Sequence, residues 1–218
     1  MKQFILLLAI ACPAMAQATK DADRLARWEK DIAALEKKQT ESSPEKGGVV
    51  FTGSSTIRLW DLAAGLPELK PINSGFGGSE IRDVTLFAER IVLKHEPKTI
   101  VFYAGDNDIN SNRTPEQVRD DFSAFTKKVF EKLPKTRVYF ISIKPSLARW
   151  TQYERQTKAN EMVKAFCAKD ERLGYIDVAP SLLGDDGKPR PELYVKDGLH
   201  LSPEGYKILT GAVKKALK

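Results

Sequence analysis

The chain has 218 residues, 42% of them hydrophobic and 29% charged, with a formal net charge of +6. That length is about one domain's worth, and the composition can bury a core of normal size, which excludes bulk disorder. No fixed repeat period is visible, which excludes collagen-like and coiled-coil arrays, and the only long apolar run lies at the extreme N-terminus, which excludes an integral membrane protein.

That run, Phe4 to Ala11, follows Lys2 and precedes Ala14-Met15-Ala16. A basic start, a short apolar stretch and an A-x-A end spell a secretory leader over residues 1–16, cleaved after Ala16. A periplasmic or secreted protein, one domain over 17–218, is expected. Ala9-Ile10-Ala11-Cys12 has the look of a lipoprotein box, but cleavage there would leave a very short signal. Loss of the leader removes Cys12 and leaves Cys167 alone, so no internal disulfide forms. The mild basicity comes from lysines spread along helical faces, such as Lys214, Lys215 and Lys218, and points to a solvated surface, not to nucleic acid.

In chain order, Leu25, Trp28, Ile32 and Leu35 recur at helical steps and predict a helix over roughly 20–38. Residues 41–48 break it. Val49 to Thr52 is a buried strand ending at Gly53, with a short helix from Ser55 to about Leu62. Leu69 to Asn73 is a weak strand closed by a glycine-rich turn, and Ile81, Val84, Phe87, Ala88, Ile91 and Val92 form a helical stripe. Thr99 to Tyr103 is a strong strand. Thr114 caps the next helix with Pro115 at its first position, and Val118, Phe122, Phe125 and Val129 face inward. Arg137 to Ile143 is a strand, 152–168 a helix, Gly174 to Val178 a short strand, and Ser202-Pro203 opens a last helix carrying Tyr206, Leu209 and Val213. Five apolar strands alternating with five helices, after the first helix at 20–38, predict an α/β protein, a three-layer α/β/α sandwich around a five-stranded parallel sheet of flavodoxin-like order 2-1-3-4-5. Ligands of such sheets bind beyond the carboxyl ends of the strands.

Those ends carry Gly53-Ser54-Ser55-Thr56, Asn73-Ser74-Gly75-Phe76-Gly77-Gly78-Ser79, Gly105-Asp106-Asn107-Asp108 and, after a loop, Asp197-Gly198-Leu199-His200. Together they supply a nucleophile, a base, a group to orient the base, and donors for an oxyanion. His95 precedes the third strand and falls at the opposite edge, where a helix-terminal structural role suits it. His200 falls at the right edge, three residues after Asp197, so the carboxylate can hold one ring nitrogen while the other faces a serine hydroxyl. A serine at a strand-to-helix turn exposes its hydroxyl and sets its own N–H at a helix start; Asn107 adds an NH2 donor.

The four segments resemble, in order, the four sequence blocks of the SGNH (GDSL-like) hydrolases, and in particular bacterial acylhydrolases similar to the platelet-activating-factor acetylhydrolase catalytic subunit. The resemblance spans Gly53 to His200. It implies the α/β/α fold and metal-free ester hydrolysis, with Ser55 as nucleophile, Asp197 and His200 completing the triad, and Gly78 and Asn107 as oxyanion donors. Gly77 rivals Gly78. Ser54 stands where the family's first block has aspartate, which puts the hydrogen bonding of the turn, and the choice between adjacent serines, in question.

Other motifs fail on their residues. Glu80 replaces the third glycine of a dinucleotide fingerprint, and no P-loop Gly-Lys-Ser/Thr exists. A calcium loop from Asp106 lacks its glycine at Ser111 and its glutamate at Gln117. Two separated histidines and one mature cysteine do not make a zinc site. No cofactor or metal is expected. The segment from Ser142 to Ser146, with Arg149 and Trp150, either lines the site or is a structural loop.

The expected function is an exported serine esterase acting through an acyl-enzyme on a small-molecule ester with a short, acetyl-type acyl group. A lipase or lysophospholipase, an acyltransferase using the same residues, and a non-catalytic binding module of this fold are the alternatives. The polar stretch from Pro180 to Lys196 offers no hydrophobic lid, and little apolar surface is visible near the site beyond Trp60, Phe76, Trp150 and Leu199. An open polar mouth suits a polar alcohol, for which an acetylated sugar is one candidate.

Overall fold

The computed structural model describes residues 13–218, with side chains from residue 22 onward. Most of the expected leader, residues 1–12, lies outside the described residues. The elements run α1 (Pro13–Ser42), β1 (Val49–Gly53), α2 (Ser55–Arg58), α3 (Leu62–Gly65), β2 (Ile72–Gly75), α4 (Ile81–Ile91), β3 (Thr99–Tyr103), α5 (Asp106–Asn110), α6 (Pro115–Lys132), β4 (Arg137–Ile141), α7 (Tyr153–Cys167), β5 (Leu173–Ile176) and α8 (Pro203–Ala216). All strand pairs are parallel, in the order β2-β1-β3-β4-β5. This is the expected three-layer sandwich and the expected strand order.

Alternation along each strand divides the core in two. Val50, Ile100, Phe102, Val138 and Phe140 face α1, α4, α6 and α7, where Phe122, Phe125 and Val163 receive them. Phe51, Val101, Tyr103, Tyr139 and Ile141 face the other way, against Ile57, Trp60 and, from α8, Leu209 and Val213. Strands covered on both faces need apolar residues at consecutive positions, which is why they are near-continuous apolar runs. Among the described residues no helix is long and apolar enough to cross a membrane.

Several boundaries differ from the sequence expectation, each for a tertiary reason. The first helix runs on to Ser42 because Gln39, polar but buried, donates to Ser74 Oγ at 2.8 Å and to the Ile91 carbonyl at 3.3 Å. β2 starts at Ile72, since Pro67–Leu69 form a 3-10 turn and Lys70 has φ +43° ahead of Pro71. β4 stops at Ile141 because the Asn160 side chain takes both the N–H and the C=O of Ile143. β5 ends at Ile176, after which Val178 and Ala179 donate their N–H groups to the Ser142 hydroxyl. The expected helix from Ser55 to Leu62 is two short ones, the second capped by the Asp61 side chain on the Ala64 N–H. α5 was not foreseen, and with the divided helix it brings the described residues to eight α-helices where six were expected.

Candidate active site

Gly53 registers with Gly75 on one neighbouring strand and Tyr103 on the other, so β1, β2 and β3 end level and their loops open to one edge. Gly53 is obligatory there: its φ is +136°, and a Cβ would lie 1.8 Å from the Tyr103 carbonyl oxygen. The chain passes through that approach, Ser54 N–H donating to the Tyr103 carbonyl at 2.9 Å, and turns into α2. Ser54 points inward, wholly buried, its hydroxyl without a partner among the described residues. Ser55, the first residue of α2, points outward into the cleft.

The Ser55 hydroxyl lies 2.9 Å from His200 Nε2, and His200 Nδ1 lies 2.6 Å from Asp197 Oδ2. A carboxylate can only accept, so Nδ1 carries the proton and Nε2 is left to accept from the hydroxyl; the tautomer is assigned from this network. The other carboxylate oxygen, Oδ1, accepts from the backbone N–H groups of Leu199 and His200 at 2.8 and 2.9 Å. Burial pushes the Asp197 carboxyl upward, but the His200 ring and the two N–H groups outweigh it and hold it at about 2. From behind, buried Lys144 donates to the Leu199 carbonyl at 2.6 Å, and Ala148 N–H donates to the Gly198 carbonyl at 3.0 Å. Both anchors come from the segment that follows β4.

Facing the hydroxyl across a cleft of about 650 Å³ are Gly77, Gly78, Asn107 and Arg149. The N–H of Gly75 is taken by Asn73 Oδ1 and that of Phe76 by the Gly53 carbonyl, while those of Gly77 and Gly78 have no partner among the described residues. Asn107 Nδ2 donates to the Ser79 carbonyl at 3.0 Å, and its Oδ1 accepts from Arg149 Nη2 at 3.0 Å. Arg149 is held in turn by Asp106, 3.2 Å away. The amide is therefore oriented, with its second N–H available. Beneath it, Asp108 is fully buried and accepts the Ile81 N–H, which ties the start of α4 to the Asn107 loop.

The structure thus brings Ser55, Asp197, His200, Gly78 and Asn107 to one place, with Gly77 beside Gly78. His95 is buried at the opposite sheet edge. The segment after β4 proves divided: Arg149 lines the cleft, Ser142 bonds backbone, and Trp150 stacks on Tyr153 at 4.6 Å. The links from Arg149 to Asn107 and from Lys144 to Leu199 were missed in the sequence, which offered only their position beyond a strand end.

Residues 50–208 match the family described as GDSL-like Lipase/Acylhydrolase. The chain belongs to this family. The family is one of hydrolases, and this member is an enzyme acting on ester substrates. Platelet-activating factor acetylhydrolase IB subunit alpha1 of Bos taurus is 31% identical over 173 residues, covering 76% of this chain and 73% of the relative. Among solved structures, a candidate platelet activating factor from Streptococcus pneumonia superposes with TM-score 0.79 at 22% identity, covering 95% of this chain and 100% of that one. A catalytic mutant of an acetylxylan esterase from Geobacillus stearothermophilus gives TM-score 0.63 at 14% identity, covering 80% and 95%. These two likenesses are of fold.

Proposed function

We propose that the protein is an exported serine esterase that cleaves short-chain, acetyl-type esters through Ser55, His200 and Asp197. The observation that carries the reading is the unbroken hydroxyl–imidazole–carboxylate chain of 2.9 and 2.6 Å at the mouth of the cleft. In this reading Ser55 Oγ attacks the ester carbonyl carbon while its proton passes to His200 Nε2. Asp197 remains ionised and stabilises the imidazolium. The carbonyl oxygen takes up the negative charge and meets the N–H groups of Ser55 and Gly78 and the free N–H of Asn107. Collapse breaks the bond to the alcohol oxygen, which leaves with the proton from His200. Water, deprotonated by His200, then releases the acid from Ser55.

Acetyl-type chemistry draws support from the name of the bovine relative, an acetylhydrolase, and from a cleft in which Asp31, Lys38, Arg58 and Arg149 stand among the apolar side chains Ala34, Leu35, Phe76 and Leu199, leaving no continuous apolar channel for a long acyl chain. A polar alcohol, such as an acetylated sugar, is the second reading, in which Asp31, Lys38, Arg58 and Arg149 around that cleft would receive it. Export rests on the leader-like residues 1–16, and mass spectrometry of protein from the periplasm or medium should find Gln17 first; a retained Met1 or an acylated Cys12 would refute cleavage after Ala16.

The deciding experiment uses an activated acetyl ester with purified protein. Ser55→Ala should lose nearly all turnover, while Ser54→Ala, altering a buried hydroxyl that does not reach the cleft, keeps a good part. The reverse result would misassign the nucleophile.

A further inference from the structure

On the far side of His200 from the cleft lies a second hollow, of about 810 Å³, which Ser55, Gly78 and Asn107 do not reach. Its walls come from two stretches far apart in sequence: Leu59 and Trp60 after α2, and Val195, Leu201 and Tyr206 from the loop that carries His200 and the α8 helix it leads into. The polar atoms of its two aromatic residues are turned into the wall. Trp60 Nε1 donates to Thr210 Oγ1 at 3.3 Å, and the Tyr206 hydroxyl donates to the Thr56 carbonyl at 3.0 Å. What faces the hollow is therefore mostly ring and aliphatic carbon, although Asp61, Asp197 and Lys207 also line it. At its rim Leu59 and Val195 are 43% and 44% exposed, two of the four strongly exposed large apolar side chains among the described residues. This corrects the expectation of little apolar surface at the site. Of the residues named for it, Phe76 and Leu199 line the first cleft, Phe76 being largely buried against Trp28 and Phe87, while Trp150 is elsewhere and stacks on Tyr153.

We infer that this hollow receives the alcohol portion of the ester, and that the alcohol carries an apolar alkyl or aryl group next to its oxygen. The inference rests on the serine-esterase reading, and the direction follows from its chemistry. The developing oxyanion must point to Gly78 and Asn107, inside the first cleft. The alcohol oxygen must come within hydrogen-bonding distance of His200 Nε2, which protonates it as the bond to carbon breaks. His200 is the wall shared by cleft and hollow, so the group attached to that oxygen passes over the ring into the hollow. The acyl group keeps the first cleft, where Asp31, Lys38, Arg58 and Arg149 interrupt the apolar side chains, which suits a short one. An alcohol that is polar throughout would leave the apolar walls unfilled.

Unbranched alkyl acetates from methyl to hexyl test this, because their alcohols have nearly equal acidity and differ only in apolar length. kcat/KM is expected to rise by up to about fourfold per added methylene until the hollow is filled. Methyl esters lengthened on the acyl side should show no such rise. Leu59→Asp and Val195→Asp, at exposed positions where folding tolerates the change, should flatten the alkyl series. Leu25→Asp, at an exposed leucine outside the hollow, should leave it intact. Binding gives an independent readout: hexan-1-ol should show saturation-transfer NMR contacts with Ser55→Ala protein and lose them when Leu59→Asp is added. A flat alkyl series with Ser55-dependent turnover of methyl acetate overturns the inference and leaves the esterase standing. So does a rise on the acyl side alone, or a sugar acetate that outperforms hexyl acetate. Hexan-1-ol binding without any Ser55-dependent hydrolysis would instead sink the esterase reading and keep the apolar site; absence of that binding removes the site.

Discussion

Replacing Asn107 by alanine isolates one donor of the oxyanion site. The amide has two N–H bonds; one goes to the Ser79 carbonyl, and the other is the one available to the substrate. Losing a single such donor costs about 10²–10³ in kcat. The N–H groups of Ser55, Gly77 and Gly78 remain after the change, so the lower end, ~10², is expected, with KM within a few-fold because the donor acts on charge present only in the transition state. Arg149→Met keeps the amide but removes the guanidinium that fixes its Oδ1. A hydrogen bond from a charged group contributes about 1.5–3 kcal/mol, and with Ser79 still holding Nδ2 a loss near tenfold in kcat is expected. Because Arg149 acts through Asn107, the double variant should fall no more than about threefold below Asn107→Ala, a non-additivity typical of residues in contact. Steady-state kinetics on an activated acetyl ester separate kcat from KM, and thermal unfolding of each variant checks that Asp106, left without Arg149, has not unfolded the loop. The reasoning fails if Asn107→Ala acts mainly on KM, costs under about threefold in kcat, or multiplies with Arg149→Met.

Asp197→Asn can present an amide N–H to the ring and reverse the tautomer, so kcat should fall on the order of 10⁴-fold with little change in fold; full activity would exclude Asp197 as the orienting group. His95 is buried, and burial together with Lys94 pulls its imidazole down to about 4. The unfolded chain binds that proton near pH 6.5 while the folded one resists to about 4, so stability is full above about 6.5 and falls as pH drops toward 4. The melting temperature of His95→Leu should fall less over this window than that of the parent, and equal slopes would refute the assignment. Turnover should survive exhaustive EDTA, whereas a loss restored by a divalent ion would overturn a metal-free mechanism.

How much could be read from the chain depended on whether a feature is made by neighbours in sequence or by neighbours in space. β1 and β3 are short strands with consecutive apolar residues, Val49 to Phe51 and Ile100 to Tyr103, and α6 opens on Thr114-Pro115 with Gln117 closing a capping box, so local chemistry declares them. The true ends of β4 and β5 are set by Asn160 and Ser142, side chains far away in sequence. The site divides in the same way. Ser55, Asn107, Asp197 and His200 each follow a strand or close a turn, and the parallel topology alone brings them to one edge. Arg149 on Asn107 spans 42 positions and Lys144 on Leu199 spans 55, and no periodicity marks such pairs. The apolar hollow is invisible in sequence for the same reason, since it forms where the stretch from Leu59 to Gly65 meets the distant stretch from Val195 to Thr210.

Those long-range pairs explain why the reacting groups can be held firmly while the substrate surface stays open to change. Burying a charge is costly unless it is bonded. Beneath the site three buried ionisable groups are bonded to pieces that carry site residues. Lys144, its ammonium pulled down by burial, grips the carbonyl before His200. Asp108, its carboxyl pushed up to about 8 by burial against the Ile81 N–H, joins α4 to the Asn107 loop. Asp106 fixes Arg149, and through it the Asn107 amide. In such surroundings hydrogen bonds are strong and their loss leaves an orphaned group, so the three loops resist relative movement. The side chains of Leu59 and Val195 take no part in this layer and stand exposed at the rim, only their backbones bonding to Ser55 and His200. Substitution there is expected to change which alcohol is accepted while the Ser55–His200–Asp197 distances stay as they are.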